Sequence, residues 1–510
     1  MLTGDMLRRS AQRFPQKTAV ICRNQRISYR ELDRQANQFA HALGAMGLGK
    51  GAKVGILSRN LPEYVTVFFG AARSGCVLVN VSVLYAEEEL RFVLEKADVE
   101  VLVYQDDFGE RVESVSARLP KLRHRVRIGG AGGGVSFASL LSAQSIDDPA
   151  IAIAEDDPFC MTYTGGTTGR PKGVLASHRA RAVTAHTVIV ESRLAEDDVV
   201  AIVTPLFHVA ALNILLQPAV LVGATVVLFP KWDVAEFADR VAGDRITAAF
   251  MVPTQVGMVV DDPQFDARKY ETWRKLNFSG APMPDSVQRN VLRKLPGLRL
   301  TQFYGQSEMG IVAALKHDDL PDKLGTVGRQ VYNADLAVLD KEGRPVASGE
   351  IGEICARGEN VMLEYYNEPE QTSAFWAHGW AWSGDLASVD ADGYLTLVDR
   401  SKDMIISGGE NIYPKEIENV LYEHPDVAEC AVFGIPDAKW GEIPVAHVQL
   451  RPGAAVDAPE LIDFCAGRLA RFKRPRLVKL VESFPRTAIG KIQKNLLRET
   501  YQSPGASTQT

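Results

Sequence analysis

Short apolar runs alternate with helix-spaced segments through the first hundred residues, and that rhythm leaves few folds open. Residues 54–57 read as a buried strand, 62–74 as a helix, 76–80 as a second strand, 87–97 as a helix and 99–104 as a third strand. Strand–helix alternation of this kind implies parallel sheets covered by helices. Upstream, residues 18–28 read as a β-hairpin. The helix after it, over 29–46, carries Leu32, Ala36, Phe39, Ala40 and Leu43 at helical spacing. Ser28 and Glu31 form a capping-box pattern at its start. Glycines at 129, 130 and 132–134 read as a surface loop, because no helical pattern follows them directly. Residues 209–228, the most apolar stretch, are interrupted by Asn213, Gln217, Pro218 and Gly223. A membrane helix needs about 20 nearly unbroken apolar residues, so buried helix, turn and strand are expected instead. Peripheral membrane contact stays open.

After the short strand at 159–161 comes Thr162-Tyr163-Thr164-Gly165-Gly166-Thr167-Thr168-Gly169-Arg170-Pro171-Lys172-Gly173. Glycine admits positive φ and close approach to a ligand. Successive N–H groups in such a loop wrap an anion, and hydroxyls with a nearby ammonium add donors for phosphate oxygens. The stretch reads as a polyphosphate cradle; the plain alternative is an exposed turn. It is not a Walker A loop, because Lys172 lies between Pro171 and Gly173.

Four further stretches carry chemistry. Small residues at 279–284 form a turn that a flat ring could approach, or an ordinary tight turn. In Gln302-Phe303-Tyr304-Gly305-Gln306-Ser307-Glu308, a carboxylate at a strand end can hold Mg²⁺ through one oxygen while phosphates and water fill the other positions. Tyr304 can stack on a purine. Asp385 suits the two hydroxyls of a ribose, with Arg400 reinforcing it; the bland alternative is a surface ion pair contributing under ~1 kcal/mol. Lys491 follows Gly490 on a loop and could swing into a site as a mobile cation, or be a surface lysine.

In order and spacing, over roughly residues 10–500, these motifs resemble the adenylate-forming superfamily of acyl-CoA synthetases, luciferases and peptide-synthetase adenylation domains. Within it, Pro205-Leu206-Phe207-His208 is similar to the acyl-CoA synthetase version. Four positions depart from the usual pattern: Gly165 stands where Ser is common, Ser279 where Gly is usual, Ser307 where Thr is usual and Glu364 where Gly is frequent.

The resemblance implies an α/β chain with a large N-terminal domain of α/β sheets and a β-rich subdomain over 1–400. A small mobile α+β C-terminal domain follows over 401–501, with a disordered tail over 502–510. It also implies roles. Thr164, Gly165, Gly166, Thr167, Thr168 and Lys172 hold phosphates. Gly280, Ala281, Pro282, Gln302, Tyr304 and Ser307 surround the adenosine, and Asp385 and Arg400 bind its ribose. Glu308 and Thr164 hold Mg²⁺. Lys402 is the hinge and Lys491 drives adenylation. Lys231, Gly408 and Gly409 face CoA. His208, Val209, Ala210, Gly305 and Met309 line the acid pocket, with His208 beside the carboxylate.

The function implied is ATP-dependent ligation of a carboxylic acid to CoA through an acyl-adenylate. Neither 209–212 nor 309–315 contains Arg or Lys. A second substrate carboxylate there would be buried without a partner, so an apolar monocarboxylate is expected, a fatty acid first and malonate disfavoured. An aryl or phenylpropanoid acid is the alternative. Two others are an acyl-AMP ligase serving a carrier protein and an inactive nucleotide binder. The former is expected to carry an inserted segment before residue 401, and the latter to lack Lys491 or Glu308. A net charge of −6 argues against a general nucleic-acid partner. Six scattered cysteines without CxxC spacing point to a reducing compartment, the cytoplasm.

Overall fold

In the computed structural model, residues 1–164, 171–281, 283–408, 410–486 and 492–501 are described. They form two compact units, 1–336 with 356–381, and 337–355 with the residues from 382 onward. The sequence placed its boundary at 401; this division groups 337–355 and 382–400 with the C-terminal residues instead.

The first unit is built on two sheets among the described residues. In one, Thr18–Cys22, Thr225–Leu228, Val199–Ile202, Ala248–Met251, Lys275–Phe278 and Arg299–Gln306 run parallel. Antiparallel strands flank them, Gln25–Ser28 on one edge and Gly310–Lys316 on the other. In the second, Pro158–Thr164, Val77–Asn80, Lys53–Leu57, Val101–Gln105 and His124–Ile128 run parallel. Lys172–Ser177 and then Glu364–Tyr365 add antiparallel strands at one side. The strand–helix rhythm therefore produces the parallel sheets expected of it, and Val77–Asn80 and Ala248–Met251 are buried at every residue. Helix-covered strands bury both faces, so they carry apolar runs and not alternation.

The helix over Tyr29–Ala45 begins where the sequence placed it. Ser28 Oγ accepts the Glu31 N–H at 3.2 Å, while the Glu31 carboxylate accepts from Gln35. The glycine run at 129–134 is exposed loop, but a six-residue helix, Phe137–Ser142, follows it closely. So short a helix offers only Phe137 and Leu141 to the core, too few for a visible period. Residues 209–228 do fold as helix, turn and strand, and the helix opens as a π-helix over Ala211–Leu216. Pro218 lacks an N–H, so the ordinary i→i−4 ladder is broken there and a wider winding is tolerated. No helix of the described residues is long and apolar enough to cross a membrane.

The second unit holds residues 382–389 of the strand Trp380–Val389, their hairpin partner Leu395–Arg400 and a C-terminal sheet. In that sheet Val427–Asp437 pairs with Gly441–Leu450, which also pairs with Ile405–Ser407 and Leu477–Leu480. Helices Pro414–Tyr422 and Ala458–Ala466 cover it through Ile417, Leu421, Leu461 and Cys465. All six cysteines are free and buried.

One buried histidine makes the first unit acid-sensitive. His178 is fully buried, stacks on Phe159 at 4.8 Å, and its Nδ1 accepts the Thr3 N–H at 3.3 Å. Its Nε2 has no partner among the described residues. Burial pushes the ring down from 6.5 to about 4. The unfolded chain binds this proton near pH 6.5 and the folded chain only near 4, so the contribution is intact above 6.5 and lost as pH falls toward 4. The expected loss is about 2 kcal/mol by pH 5. Denaturant unfolding at pH 7.5 and 5.0 measures it. His178→Asn keeps an acceptor and should flatten the slope by that amount; an unchanged slope would assign the acid loss to other groups.

Candidate active site

Thr164 ends the strand Pro158–Thr164 and Lys172 begins the antiparallel return, and the two residues stand in register. Both are half-buried. Gly165, Gly166, Thr167 and Thr168 lie outside the described residues, as do Pro282, Gly409 and Lys491. The Lys172 Nζ sits over the Tyr365 ring, 4.9 Å from its centre. The Tyr365 hydroxyl donates to Glu308 Oε1 at 3.0 Å. Thus the Lys172 ammonium and the Glu308 carboxylate are joined through one tyrosine.

Glu308 lies in the tight turn between Arg299–Gln306 and Gly310–Lys316. The turn is held by the Met309 N–H on Gln306 O and by the Met362 N–H on Glu308 O at 2.7 Å. Asn360 adds two bonds, from Nδ2 to the Met309 and Ile311 carbonyls at 2.6 and 3.2 Å. The pairing slips register between Tyr304 and Gly305. A Cβ on Gly305 would fall on the Gly310 carbonyl, so the hairpin itself requires this glycine. Ser307 is half-buried beside Glu308 in the same turn. One carboxylate with neighbouring hydroxyls is the oxygen donor set that suits a Mg²⁺ arriving with phosphates.

Lys275–Phe278 and Arg299–Gln306 are adjacent parallel strands, with Phe278 opposite Gln302. The turn at Gly280 and Ala281 and the residues Tyr304 and Gly305 follow at the carboxyl ends of those neighbours. The edge beyond the carboxyl ends of parallel strands is where α/β sheets take ligands. Gly280 has φ +90°, a conformation that excludes most side chains, and both turn residues are exposed. Gln302 is buried.

His208 is half-buried and starts the helical segment with Val209 and Ala210. Its Nδ1 accepts the Ala210 N–H at 3.3 Å. That fixes Nε2 as the protonated nitrogen of the neutral ring. Met309 is fully buried, and Ile311 to Leu315 are buried after it. Lys231 is exposed just past the strand Thr225–Leu228.

In the second unit, Asp385 and Arg400 face each other across a hairpin, with Arg400 Nε 2.9 Å from Asp385 Oδ1. The Asp385 carboxylate is mostly buried and Arg400 is exposed. The backbone before Asp385 is fixed twice. The Gly384 N–H donates to Glu353 Oε1 at 2.7 Å, and the Asp385 N–H to Ser383 Oγ at 3.0 Å. Burial raises the Glu353 carboxyl above its ordinary value, and the Asp385 charge adds to this. Lys402 is exposed in the turn that follows. Gly408, at φ +61°, donates to the Trp440 carbonyl at 2.7 Å; a Cβ there would meet the Trp440 ring at 2.8 Å.

Tyr365 and Glu353 carry no mark in the sequence that separates them from other residues of a β-rich segment. Glu364, in place of a frequent glycine, sits in the extended strand Glu364–Tyr365 opposite Leu175, where a side chain is accommodated without positive φ.

The AMP-binding enzyme family model matches residues 7–366, and that of the AMP-binding enzyme C-terminal domain matches 416–491. The feruloyl-CoA synthase of an Amycolatopsis species is 35% identical over 495 residues, covering 97% of this chain and 98% of that protein. The long-chain-fatty-acid–CoA ligase FadD13 of Mycobacterium tuberculosis is 34% identical over 507 residues, covering 98% of each. ATP-bound MatB from Rhodopseudomonas palustris superposes with a TM-score of 0.91 at 28% identity, over 99% of both chains.

Proposed function

The chain belongs to the AMP-binding enzymes and is an ATP-dependent acid–CoA ligase, and from that premise we propose that its acid is an apolar monocarboxylate, a fatty acid in the first reading. One observation carries this. Residues 309–315 are buried apart from Gly310, 209–212 are apolar, and neither stretch holds a cation for a second carboxylate. Burying such a charge unpaired costs several kcal/mol. FadD13, named for long-chain fatty acids, supports the first reading.

A second reading, an aryl acid bearing a hydroxyl or N–H, has its own support. Gln217 is fully buried on the helix after His208, donates to Asn213 Oδ1 at 2.7 Å, and its Oε1 has no partner among the described residues. An orphaned acceptor of this kind costs about 1–3 kcal/mol and favours a ligand that donates to it. The feruloyl-CoA synthase relative is named for a phenolic acid.

The reaction is two displacements. The acid's carboxylate oxygen bonds to the α-phosphorus of ATP and the bond to pyrophosphate breaks. The CoA sulfur then bonds to the acyl carbon and AMP departs. Aligning anions is the catalytic problem. Thr164 and Lys172, with Gly165, Gly166, Thr167 and Thr168, hold the phosphates, and Glu308 with Thr164 holds Mg²⁺. Bound there, Mg²⁺ neutralises phosphate charge. Tyr304 and the 280–282 turn seat the adenine, and Asp385 with Arg400 the ribose. His208 directs its Nε2–H to the acid's carboxylate. Lys231, Gly408 and Gly409 serve the thiol step, and Lys402 is the hinge at the start of a C-terminal domain over 401–501.

The test is pyrophosphate and AMP release with ATP, Mg²⁺ and CoA across fatty, aryl and dicarboxylic acids, with mass detection of the thioester. Thioester is expected from apolar monocarboxylates, with fatty acids turned over best. A hydroxylated aryl acid as best substrate would favour the second reading. Best turnover of malonate would overturn both.

A further inference from the structure

Glu308, in the turn after Arg299–Gln306, and Lys172, at the start of Lys172–Ser177, are separated by more than 130 residues, yet one side chain touches both. The Tyr365 hydroxyl donates to Glu308 Oε1 at 3.0 Å, and its ring lies under the Lys172 ammonium at 4.9 Å. Tyr365 is itself held in place. It pairs with Val174 at the sheet edge, its N–H donates to Thr372 Oγ1 at 3.0 Å, and its ring meets Phe375 edge-on at 6.0 Å. The ring is therefore fixed by backbone pairing and packing, independent of the two charges it contacts.

The chemistry of such a placement is specific. A carboxylate bound by a hydroxyl through one oxygen is limited in rotation, and its other oxygen is left for a metal. Outer partners that orient a ligating group typically change metal affinity by about 10–100-fold when removed. A lysine over an aromatic face is held by the ring quadrupole, contributing roughly 0.5–1 kcal/mol at exposed sites. An ammonium has three N–H donors, so donors remain for phosphate while the ring is engaged. A single tyrosine thus sets the spacing between metal ligand and phosphate ligand.

We propose that Tyr365 is a positioning residue for adenylation, orienting Glu308 toward Mg²⁺ and Lys172 toward the ATP phosphates. This rests on the ligase reading of the same site. The Tyr365 side chain contacts Glu308 and Lys172, so its effect is expected in the first half-reaction.

Tyr365→Phe tests it, because the ring, the Lys172 contact and the Phe375 contact remain and only the hydroxyl goes. The half-saturating Mg²⁺ concentration for pyrophosphate release should rise about tenfold. Thioester formation from supplied acyl-adenylate should match the parent. Mn²⁺ titration by electron paramagnetic resonance, with a non-hydrolysable ATP analogue, should show the same loss of affinity without turnover. In a Glu308→Gln background the hydroxyl deletion should have no further effect on Mn²⁺ affinity. Tyr365→Leu, which also removes the ring, should further raise the KM for ATP. Equal Mn²⁺ affinity in parent and Tyr365→Phe would overturn the proposal, as would equal losses in both half-reactions. Absence of Mn²⁺–nucleotide binding in the parent protein would instead overturn the ligase reading on which it stands.

Discussion

Replacing Lys491 with alanine is expected to lower adenylation by about 10²–10³-fold, the usual loss when one preorganised charge at a transition state is removed. Thioester formation from supplied acyl-adenylate should stay within about twofold of the parent, since an interaction confined to one transition state affects only that step. Lys491 lies outside the described residues, but both flanks of its segment are anchored. Arg486 and Ile492 form a β-bridge, and Arg486 pairs with Glu429. On the far side, Lys494 binds Glu418 at 2.7 Å and Arg498 binds Asp403 at 3.2 Å. Burial alone would lower Lys494, but Glu418 and Asp399 outweigh it and hold the ammonium charged. None of these contacts uses the Lys491 side chain, so the fold should be untouched. Equal losses in pyrophosphate release and in thiol transfer would remove Lys491 from the adenylation step.

How far the chain could be read from its residues depended on the range of the determining interactions. The parallel strands were legible because burial on both faces imprints an apolar run, as at Val77–Asn80. The Asp385–Arg400 pair was legible as two residue types that attract, and the hairpin brings them together. Tyr365 was not. Its importance comes from meeting Glu308 and Lys172 after the chain has folded, and a tyrosine in a strand is ordinary composition. Glu353 was hidden for the same reason: its role is a bond to Gly384, 31 residues away. The glycine at 305 gave the opposite lesson. It was read as a pocket residue, and the structure adds a local cause, the Gly310 carbonyl across the hairpin. The π-helical winding over Ala211–Leu216 leaves no mark in any periodic pattern of the sequence.

Asp385→Ala should weaken ATP binding by about 10–100-fold, corresponding to loss of roughly 1.5–3 kcal/mol of hydrogen bonding between a carboxylate and two hydroxyls. The side chain is only 12% exposed, while its partner Arg400 is 45% exposed. When the carboxylate goes, Arg400 turns to water, and the lost pair contributes under ~1 kcal/mol to folding. The unfolding midpoint should therefore move little while nucleotide affinity falls. The position of the carboxylate is set by backbone contacts from Gly384 to Glu353 and from Asp385 to Ser383, which alanine retains. Asp385→Asn separates shape from charge. It keeps one acceptor oxygen, so ATP affinity should fall between parent and alanine, and affinity for the 2′-deoxy nucleotide should fall less than for ATP in both variants. Calorimetric titration with a non-hydrolysable ATP analogue reads these differences directly. An affinity unchanged by Asp385→Ala would place the ribose elsewhere and leave Asp385–Arg400 as a surface ion pair of the hairpin.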